Sequence, residues 1–293
     1  MIWLIVVGCV AAVVVVGAAV YWHLIIAEGA YMGPQVVAWT YDWVARRYDA
    51  IKQFASSDED WFVAAPLWRR LAGVERPLLL DVATGTGRLP LALVRNRFSV
   101  AGGQIVGLDL SWGMLRQARA KLRDYGDRVG LVWQDASRLP FDDGAFDAVT
   151  CLEAVEFLPS PREALAEMVR VLAPGGVLMV TNRVGRTARL LPGRTFSRAG
   201  FQKMLAALPL QGVETRRWQA DYDLAVARKA GGSDLAGRGG VILASLVRCP
   251  ACRGTMGQPA SRPVLVCEGC GRFFPVRDGI VALAEGKDRG DRQ

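Results

Sequence analysis

Three aspartates, Asp81, Asp109 and Asp135, each follow an apolar run of the kind that forms a buried parallel strand. The first lies in LLLDVATGTGRLPLAL, in which Gly85 and Gly87 indicate a tight turn before a segment with helical spacing. Any one of these acids alone would be expected to be a solvated carboxylate at the end of a strand. Three of them in register favour a shared binding site.

The chemistry of this loop argues against a phosphate ligand. In G-T-G-R-L-P the third glycine of the dinucleotide fingerprint is replaced, and no Lys-Ser or Lys-Thr pair follows, as a phosphate-binding P-loop requires. Asp81 would repel a phosphate but attract an ammonium group. Asp109, 22 residues beyond Gly87, can accept both hydroxyls of a ribose, and Asp135 can accept from the amino group of adenine. S-adenosylmethionine carries all three of these groups.

The segments around these acids predict alternating strands and helices. VGLVW precedes Asp135 as a third strand, FDAVTC forms a fourth, and a fifth follows the turn L-A-P-G-G. The helix after the fourth strand opens with S-P-R-E, in which Ser160 is the N-cap, Pro161 takes the first helical position and Glu163 completes a capping box. This order predicts an α/β fold with a Rossmann-like sheet and flanking helices.

The sequence resembles the class I S-adenosylmethionine-dependent methyltransferases at four motifs: DVATGTG, the acid of VGLDLS, QDASRLPF with the following FDAV, and the LAPGG turn. The resemblance covers roughly residues 36 to 228, and DVATGTG together with YDWVARRYD is most similar to the quinone-methylating branch. The sequence departs from the family at Ala83, where many relatives have the first loop glycine. The resemblance implies a methyltransferase domain over residues 76–230 that binds S-adenosylmethionine.

The resemblance also implies which positions contact the cofactor. The glycine loop should face its methionine part, and Leu110 and Met114 the two faces of adenine. Cys151, at the end of the fourth strand, should pack in the core or form a wall of the pocket, because it lacks the proline and histidine of a nucleophilic cysteine. The residues expected to bind the cofactor are Asp81, Ala83, Thr84, Gly85, Thr86, Gly87, Asp109, Leu110, Met114, Asp135, Ala136 and Cys151.

Few catalytic groups are needed for methyl transfer, because positioning of the reactants supplies most of the rate. The one histidine of the chain, His23, lies in the N-terminal apolar run, so a general base would be a carboxylate or a tyrosine. Glu153, just after the fourth strand, is the first candidate, with an ordinary acid at a helix start as the alternative. No N-P-P-Y-like motif follows this strand, which disfavours amine methylation of adenine or glutamine.

The N-terminal segment contains an apolar run long enough to cross a bilayer, and residues 1–27 are expected to be a transmembrane anchor. A cleaved signal peptide is the alternative, disfavoured by the length of the run and by the absence of a basic segment before it. Arg46, Arg47 and Lys52 follow the run, so the catalytic domain should face the cytoplasm from a single-pass membrane protein. Residues 28–75 should form a helical lid over the active site, beside the membrane.

The C-terminal segment contains two CxxC pairs, and Cys249, Cys252, Cys267 and Cys270 have the spacing of a structural zinc site. Disulfides are the alternative, disfavoured by a reducing cytosol. Residues 241–285 resemble the small zinc-binding domain that elsewhere is a separate activating partner of methyltransferases. Residues 231–240 are expected to be a flexible linker, and residues 286–293 a tail. Loss of zinc should unfold the ribbon and leave the cofactor site formed.

The predicted function is methylation of a lipophilic small molecule, a quinone precursor or a lipid, by a membrane-anchored enzyme. The net charge of +8 and the zinc ribbon suggest two alternatives, an RNA or a protein methyltransferase, although the anchor argues against nucleic acid as the partner. A catalytically silent scaffold is a third class, which the complete set of cofactor acids disfavours. The sequence does not predict the acceptor atom or the oligomeric state.

Overall fold

A single sheet organises the described part of the chain in the computed structural model, which covers residues 2–52, 59–96, 102–232, 235, 237–259 and 263–286. Within these residues it has eleven strands, in the spatial order β6-β7-β5-β4-β1-β2-β3-β11-β10-β9-β8. The strands are β1 (Leu78–Val82), β2 (Gln104–Asp109), β3 (Val129–Trp133), β4 (Phe146–Cys151), β5 (Leu172–Arg183), β6 (Leu210–Trp218), β7 (Tyr222–Lys229), β8 (Met256–Gly257), β9 (Val264–Cys267), β10 (Phe273–Arg277) and β11 (Ile280–Ala282).

The helices flank this sheet or precede it along the chain. They are α1 (Ile2–Tyr21), α2 (Pro34–Val44), α3 (Tyr48–Lys52), α4 (Ala65–Arg70), α5 (Arg88–Arg95), α6 (Trp112–Lys121), α7 (Pro161–Val171), α8 (Arg198–Ala206) and α9 (Leu243–Leu246). Helix α7 begins as the sequence predicts, with the Ser160 hydroxyl accepting from the Glu163 N–H at 3.4 Å and Pro161 in its first turn. The predicted α/β fold with flanking helices is confirmed.

Strands β1 to β5 run parallel, and β6 and β7 add an antiparallel pair beside β5. Strand β1 lies between β2 and β4, so that Asp81 pairs with Gly107 on one side and Thr150 on the other. Strand β3 ends at Trp133, two residues before the acid that the sequence placed at its end. Because parallel strands end at one edge, Asp81, Asp109 and the segment after β3 meet there.

The C-terminal ribbon continues this sheet. Strand β11 pairs in parallel with β3, with Ile280 opposite Leu131 and Val281 opposite Val132. Strands β10, β9 and β8 follow by antiparallel pairing. The edge of β3 is thereby covered, and the ribbon and the methyltransferase sheet share one hydrogen-bonded framework.

The described part of the linker is bound to the sheet. Asp147, a fully buried residue of β4, accepts from the backbone N–H of Arg238 at 3.1 Å and from its guanidinium at 2.5 Å. The N–H groups of Gly240 and Val241 donate to Gln104 Oε1 at 2.7 and 3.1 Å. Within the expected linker 231–240, residues 238 and 240 therefore contact strands β4 and β2, and its flexibility stays a prediction. The described residues do not include positions 233, 234 and 236 of the expected linker, 53–58 of the expected lid or 287–293 of the expected tail.

The N-terminal helix projects from the domain. Together with the following π-helical turn, Trp22–Ile26, helix α1 makes a 25-residue segment that is long and apolar enough to cross a membrane, with none of it buried. A signal sequence has the same length and composition. After it, the first part of the segment expected to form the lid contains α2, a 3₁₀ turn over Ala45–Arg47, and α3. Ile51, near the end of α3, is 62% exposed.

Candidate active site and zinc cluster

The glycine loop after β1 has a left-handed backbone at three positions. Ala83 has φ +55°, Gly85 +55° and Gly87 +74°. The position where related sequences carry glycine thus has glycine-like geometry here although it is occupied by alanine, at a cost of roughly 1–2 kcal/mol. A side chain at Gly87 would lie 2.9 Å from Leu122 and 3.0 Å from Ala118, so Gly87 is needed for packing of α5 on α6. The expected contact of Gly87 with the cofactor stays a prediction beside this packing role.

Asp81 is enclosed by hydroxyl groups at the end of β1. It is 4% exposed, and its carboxylate accepts from Thr84 Oγ1 at 2.7 Å and from Thr150 Oγ1 at 2.6 Å. Burial raises the pKa of Asp81 to about 6, against the opposing effect of the two hydroxyls. Asp81, Thr84 and Thr86 line a small recess beside the main cavity. This recess is where a cofactor's ammonium group would meet the carboxylate.

Asp109 links the glycine loop to the start of α6. Its Oδ2 accepts from the Gly85 N–H at 2.7 Å and its Oδ1 from the Ser111 N–H at 2.8 Å. Burial raises the pKa of Asp109 to about 6, although these backbone donors favour the ionised form. Each oxygen keeps lone-pair capacity for another donor, which suits a pair of ribose hydroxyls.

The main cavity lies between this edge of the sheet and the lid. Its empty volume is about 760 Å³ including the open solvent at its mouth. Seven of the expected cofactor residues are in its wall: Ala83, Gly85, Asp109, Leu110, Met114, Asp135 and Ala136. Since a carboxylate, an apolar slot and a second acid follow each other along the wall, the residues fit an adenosine.

Cys151 lies outside these walls. It is fully buried among apolar residues of the core and does not line either of the two cavities described here. Burial raises the pKa of the Cys151 thiol well above its usual range. This position supports core packing, one of the two alternatives expected for Cys151, and a cofactor contact of Cys151 stays a prediction.

Glu153 is held by an ion-pair network between the recess and the main cavity. It has φ +54°, and its N–H donates to Thr181 Oγ1 at 2.6 Å. Its Oε1 lies 3.3 Å from a guanidinium nitrogen of Arg88, which also pairs with Glu59 at 2.8 Å. Gln219 donates to the same Oε1 at 3.3 Å. The carboxylate lines both spaces, so it can reach an acceptor bound beside the cofactor.

The lid contributes two tyrosines that the sequence analysis did not assign to the site. Tyr41 and Tyr48 line the main cavity with ring centroids 5.8 Å apart. Tyr41 donates to Glu28 Oε2 at 2.5 Å, and its ring lies 5.9 Å from that of Phe157. Burial raises the pKa of both phenols, so they are neutral near pH 7.

Two lid aspartates, each next to one of these tyrosines, bind the lid to the cofactor loops. Asp42 Oδ1 accepts from Ser111 Oγ at 2.6 Å and from the Gly113 N–H at 2.7 Å. Asp49 accepts from Thr86 Oγ1 and from Lys121 Nζ, each at 2.6 Å. The signal in the sequence was the repeated Tyr-Asp pair of YDWVARRYD, seven residues apart and hence on one helical face.

The four cysteines of the ribbon form one cluster. Their Sγ atoms all lie within 4.8 Å of one another, with Cys252 and Cys267 at 3.3 Å and Cys249 and Cys270 at 3.7 Å. Tetrahedral zinc with Zn–S bonds of about 2.3 Å separates its sulfurs by roughly 3.8 Å. The thiolates therefore fit a structural zinc ion with no open coordination position.

The first knuckle of this cluster contacts the loop that follows the candidate adenine edge. Arg253 donates to the carbonyls of Leu139 and Phe141 at 2.9 and 2.6 Å. Arg248 pairs with Asp142 at 2.5 Å. The zinc ribbon is thus packed directly against the segment downstream of Asp135.

Comparison with known proteins supports both the methyltransferase domain and the C-terminal zinc ribbon. A family model described as a methyltransferase domain matches residues 80–180, and one described as Trm112p-like protein matches residues 242–279. Among solved structures, the [4+2]-cyclase SpnF has a TM-score of 0.57 at 22% identity, covering 68% of this chain and 97% of that one. A complex between the Haloferax volcanii Trm112 methyltransferase activator and a methyltransferase gives a TM-score of 0.52 at 20% identity, covering 65% of this chain and 98% of that one. These structures establish similarity of fold.

The curated relatives are more similar in sequence. The demethylmenaquinone methyltransferase of Clavibacter sepedonicus is 38% identical over 149 residues, which are 50% of this chain and 58% of that protein. The chain spans about three fifths of the length of the first such relatives. The ubiquinone/menaquinone biosynthesis C-methyltransferase UbiE of Azotobacter vinelandii is 33% identical over 60% of this chain and 68% of that protein. The chain therefore belongs to the family of class I S-adenosylmethionine-dependent methyltransferases that includes the demethylmenaquinone and UbiE-type C-methyltransferases.

Proposed function

We propose that the chain is a membrane-anchored methyltransferase that uses S-adenosylmethionine to methylate carbon of a lipophilic quinone precursor. One observation carries the proposal: the lining of the main cavity combines the acids Asp109 and Asp135 with many apolar side chains. The relatives are named for demethylmenaquinone and ubiquinone/menaquinone chemistry, which an apolar acceptor space suits.

The residues at the polar end hold and orient the cofactor. Asp109 accepts the ribose hydroxyls, Leu110 and Met114 pack on adenine, and Asp81 with the threonines of the recess faces the amino-acid part. When bound, the cofactor supplies an electrophilic methyl group. The lid contacts of Asp42 and Asp49 with Ser111 and Thr86 close this end, which excludes water from the reacting groups.

The residues at the apolar end receive the acceptor. The apolar lining of the cavity includes Val37 and Ala38 of the lid, and Phe157, Leu158 and Pro159. Aliphatic and aromatic side chains of this kind suit an aromatic ring that carries an isoprenoid chain, because burying that surface gives about 25 cal/mol per Å². A quinol ring has weakly nucleophilic carbon, which becomes stronger when a hydroxyl proton is removed.

Glu153 is the group positioned to take this proton. It lines the junction of the two spaces, and Arg88 and Gln219 fix its carboxylate. Glu153→Gln should lower kcat about 100-fold while leaving cofactor affinity within about twofold, as expected for loss of a general base. Glu163→Gln, an exposed acid at the start of α7, is the matched control and should retain wild-type kcat.

The anchoring part of the proposal assigns Ile2–Ile26 to the membrane and the domain to the cytoplasmic side. Arg46, Arg47 and Lys52 after the apolar segment favour this orientation. The corner that follows the segment is packed against the domain, with Ala27 fully buried and Ala30 2% exposed. A retained anchor accounts for this packing better than a removable leader does.

The assay incubates full-length chain in lipid nanodiscs with labelled S-adenosylmethionine, in parallel with total lipid extract and with total RNA. Label is expected in the quinone fraction of the lipid extract, and Asp109→Ala should abolish it. Label that enters RNA alone would contradict the proposal, and so would label in neither substrate from a chain that binds cofactor normally.

A further inference from the structure

We propose that the outward face of lid helix α2 and the following turn is a membrane-docking surface, which seats the mouth of the main cavity on an anionic lipid bilayer. This docking surface consists of Gln35, Trp39, Trp43, Arg46 and Arg47. The inference rests on the proposed anchoring and adds the partner of the lid, its orientation and the route of the acceptor.

The helix that leaves the membrane is joined to the lid by a rigid corner. The N–H groups of Ala27 and Gly29 donate to the carbonyls of Trp22 and His23 at 2.8 and 2.9 Å. Gly29 has φ +78°, and a side chain there would lie 3.0 Å from Val36 of α2. The end of the anchor and the start of the lid therefore cannot move independently over large distances.

Arg194 fixes this corner to the rim of the cavity. Its Nη2 donates to the Ala30 carbonyl at 2.6 Å, and its Nη1 donates to the carbonyls of Leu158 and, at 2.9 Å, Pro159. Its guanidinium also lies 5.4 Å from the ring centroid of Tyr31. Because Leu158 and Pro159 line the main cavity, one side chain connects the base of the anchor to the cavity mouth.

The docking surface itself is aromatic and basic. Trp39 is 62% and Trp43 78% exposed, and Gln35, Arg46 and Arg47 are exposed at the spacing of the same helical side. Val37, Ala38 and Tyr41 on the opposite side line the cavity. The lid therefore has one face for the acceptor and another with no covering residue among the described parts of the chain.

A bilayer surface fits this face for three reasons. Tryptophan rings prefer the interface between headgroups and hydrocarbon, and each nearby arginine adds electrostatic attraction to anionic lipid. The face is also continuous in sequence with the apolar segment Ile2–Ile26, since Trp39 follows Ile26 by 13 residues. A tethered amphipathic surface binds at high effective concentration, so a short helix suffices.

Docking in this orientation places the cavity mouth at the membrane. Pro34 and Val37, from the start of the lid, and Pro159, from the opposite rim, would lie at the headgroup level beside the anchor. A lipophilic acceptor would then enter from the bilayer without crossing water with its apolar chain exposed. The polar end of the cavity, at Asp109, would remain toward the soluble side for cofactor exchange.

The first test measures docking without any acceptor. Full-length chain is placed in nanodiscs containing phosphatidylglycerol, with or without bromine on the acyl chains near the ester groups, and tryptophan fluorescence is compared. Bromine should quench the emission of Trp39 and Trp43. The variants Trp39→Phe and Trp43→Phe should therefore lose fluorescence that the brominated lipid quenches in the wild-type chain. Trp218→Phe, which removes a tryptophan that is 3% exposed in the domain, should remove unquenched fluorescence.

The second test measures the effect of docking on methylation of a bilayer-embedded acceptor. Trp39→Asp with Trp43→Asp should lower methylation of a bilayer-embedded acceptor at least tenfold, while methylation of a short-chain soluble analogue and cofactor affinity stay within twofold. Unquenched Trp39 and Trp43 in an anchored chain would overturn the inference, as would crosslinks from these positions to a second copy of the chain. Quenching without methylation of any quinone precursor would leave docking in place and refute the proposed function instead.

Discussion

Arg253, between the cysteine that ends the first zinc knuckle and Gly254, donates a 2.9 Å hydrogen bond to the carbonyl oxygen of Leu139. Leu139 lies four residues beyond Asp135, in the segment that leaves the candidate adenine edge. Arg170 of α7 donates to the same carbonyl at 3.0 Å. The ribbon and the methyltransferase domain thus both donate to one loop, and we expect the cofactor site to depend on the metal cluster.

Removal of zinc, by chelation or by Cys267→Ser, is therefore expected to weaken cofactor affinity several-fold as well as to disorder the ribbon. The effect should be partial, because Arg170 keeps its contacts with the loop when Arg253 is lost. Calorimetric titration of S-adenosylmethionine checks this. Arg253→Ala should give a similar loss with zinc still bound, whereas Arg277→Ala, which removes only a half-exposed pair with Glu285, should not. Unchanged affinity after zinc removal would restore the independence that the sequence suggested.

Cofactor affinity should also depend on pH through Asp109 and Asp81, since burial raises the pKa of each to about 6. Below pH 6 a proton must leave before the carboxylate can act as a charged acceptor, so affinity should fall by up to tenfold per pH unit for each group. Above about pH 7 affinity should be constant. Titrations from pH 5 to 8 measure this, and Asp109→Asn should flatten part of the slope while weakening binding at pH 8. A wild-type affinity that does not change across this range would contradict the assignment.

The lid should open when its aspartates are removed. Asp42→Ala loses two hydrogen bonds to the start of α6, and Asp49→Ala loses the contacts with Thr86 and Lys121. At about 1.5–3 kcal/mol for each hydrogen bond to a charged group, reduced by exposure, either change should raise the KM for cofactor roughly tenfold. Proteolysis of the lid should become faster in parallel. Asp124→Ala, an exposed acid before β3, serves as the control, and lid variants with wild-type KM and proteolysis rates would show that the lid is held by other contacts.

Local patterns were sufficient for much of this architecture. The strands, the Ser160 cap of α7 and the four-cysteine cluster each depend on residues near in sequence, and the structure has them as predicted. The cofactor role of Asp109 stays a prediction. Ala83 shows the strength of such patterns, because the backbone keeps the left-handed geometry of a glycine position without the glycine. Cys151 shows a limit of such patterns, since its position at a strand end does not say whether the side chain faces the core or the cavity.

Contacts between distant segments could not be predicted in the same way. The pairing of Ile280 with Leu131, the contact of Arg194 with Ala30 and the binding of Arg238 to Asp147 each join residues at least 91 positions apart. No periodicity or motif in either partner specifies the other, because an exposed arginine and a strand edge have many possible partners. The repeated Tyr-Asp pair of the lid was different: its spacing was visible, and only its binding partners were missing.

Glu156 provides the last prediction, because it is a buried acid with one unsatisfied oxygen. It is 1% exposed, its Oε1 accepts from the Tyr222 hydroxyl at 2.8 Å, and its Oε2 has no partner. Burial raises the pKa of Glu156 to about 7 from 4.5, so the proton-bound form is favoured by the fold. The contribution of protonated Glu156 to stability is fully present below pH 4.5 and is lost as pH rises through 7, by about 3 kcal/mol in total.

Glu156→Gln keeps an acceptor for Tyr222 and has no proton to lose. The free energy of unfolding of this variant, relative to wild type, should therefore increase by about 3 kcal/mol between pH 4.5 and pH 8. Urea unfolding of the detergent-solubilised chain at both pH values measures it, with the exposed Glu163→Gln as a control that should show no such change. If the two variants respond to pH alike, the carboxyl of Glu156 does not carry the proton near neutrality.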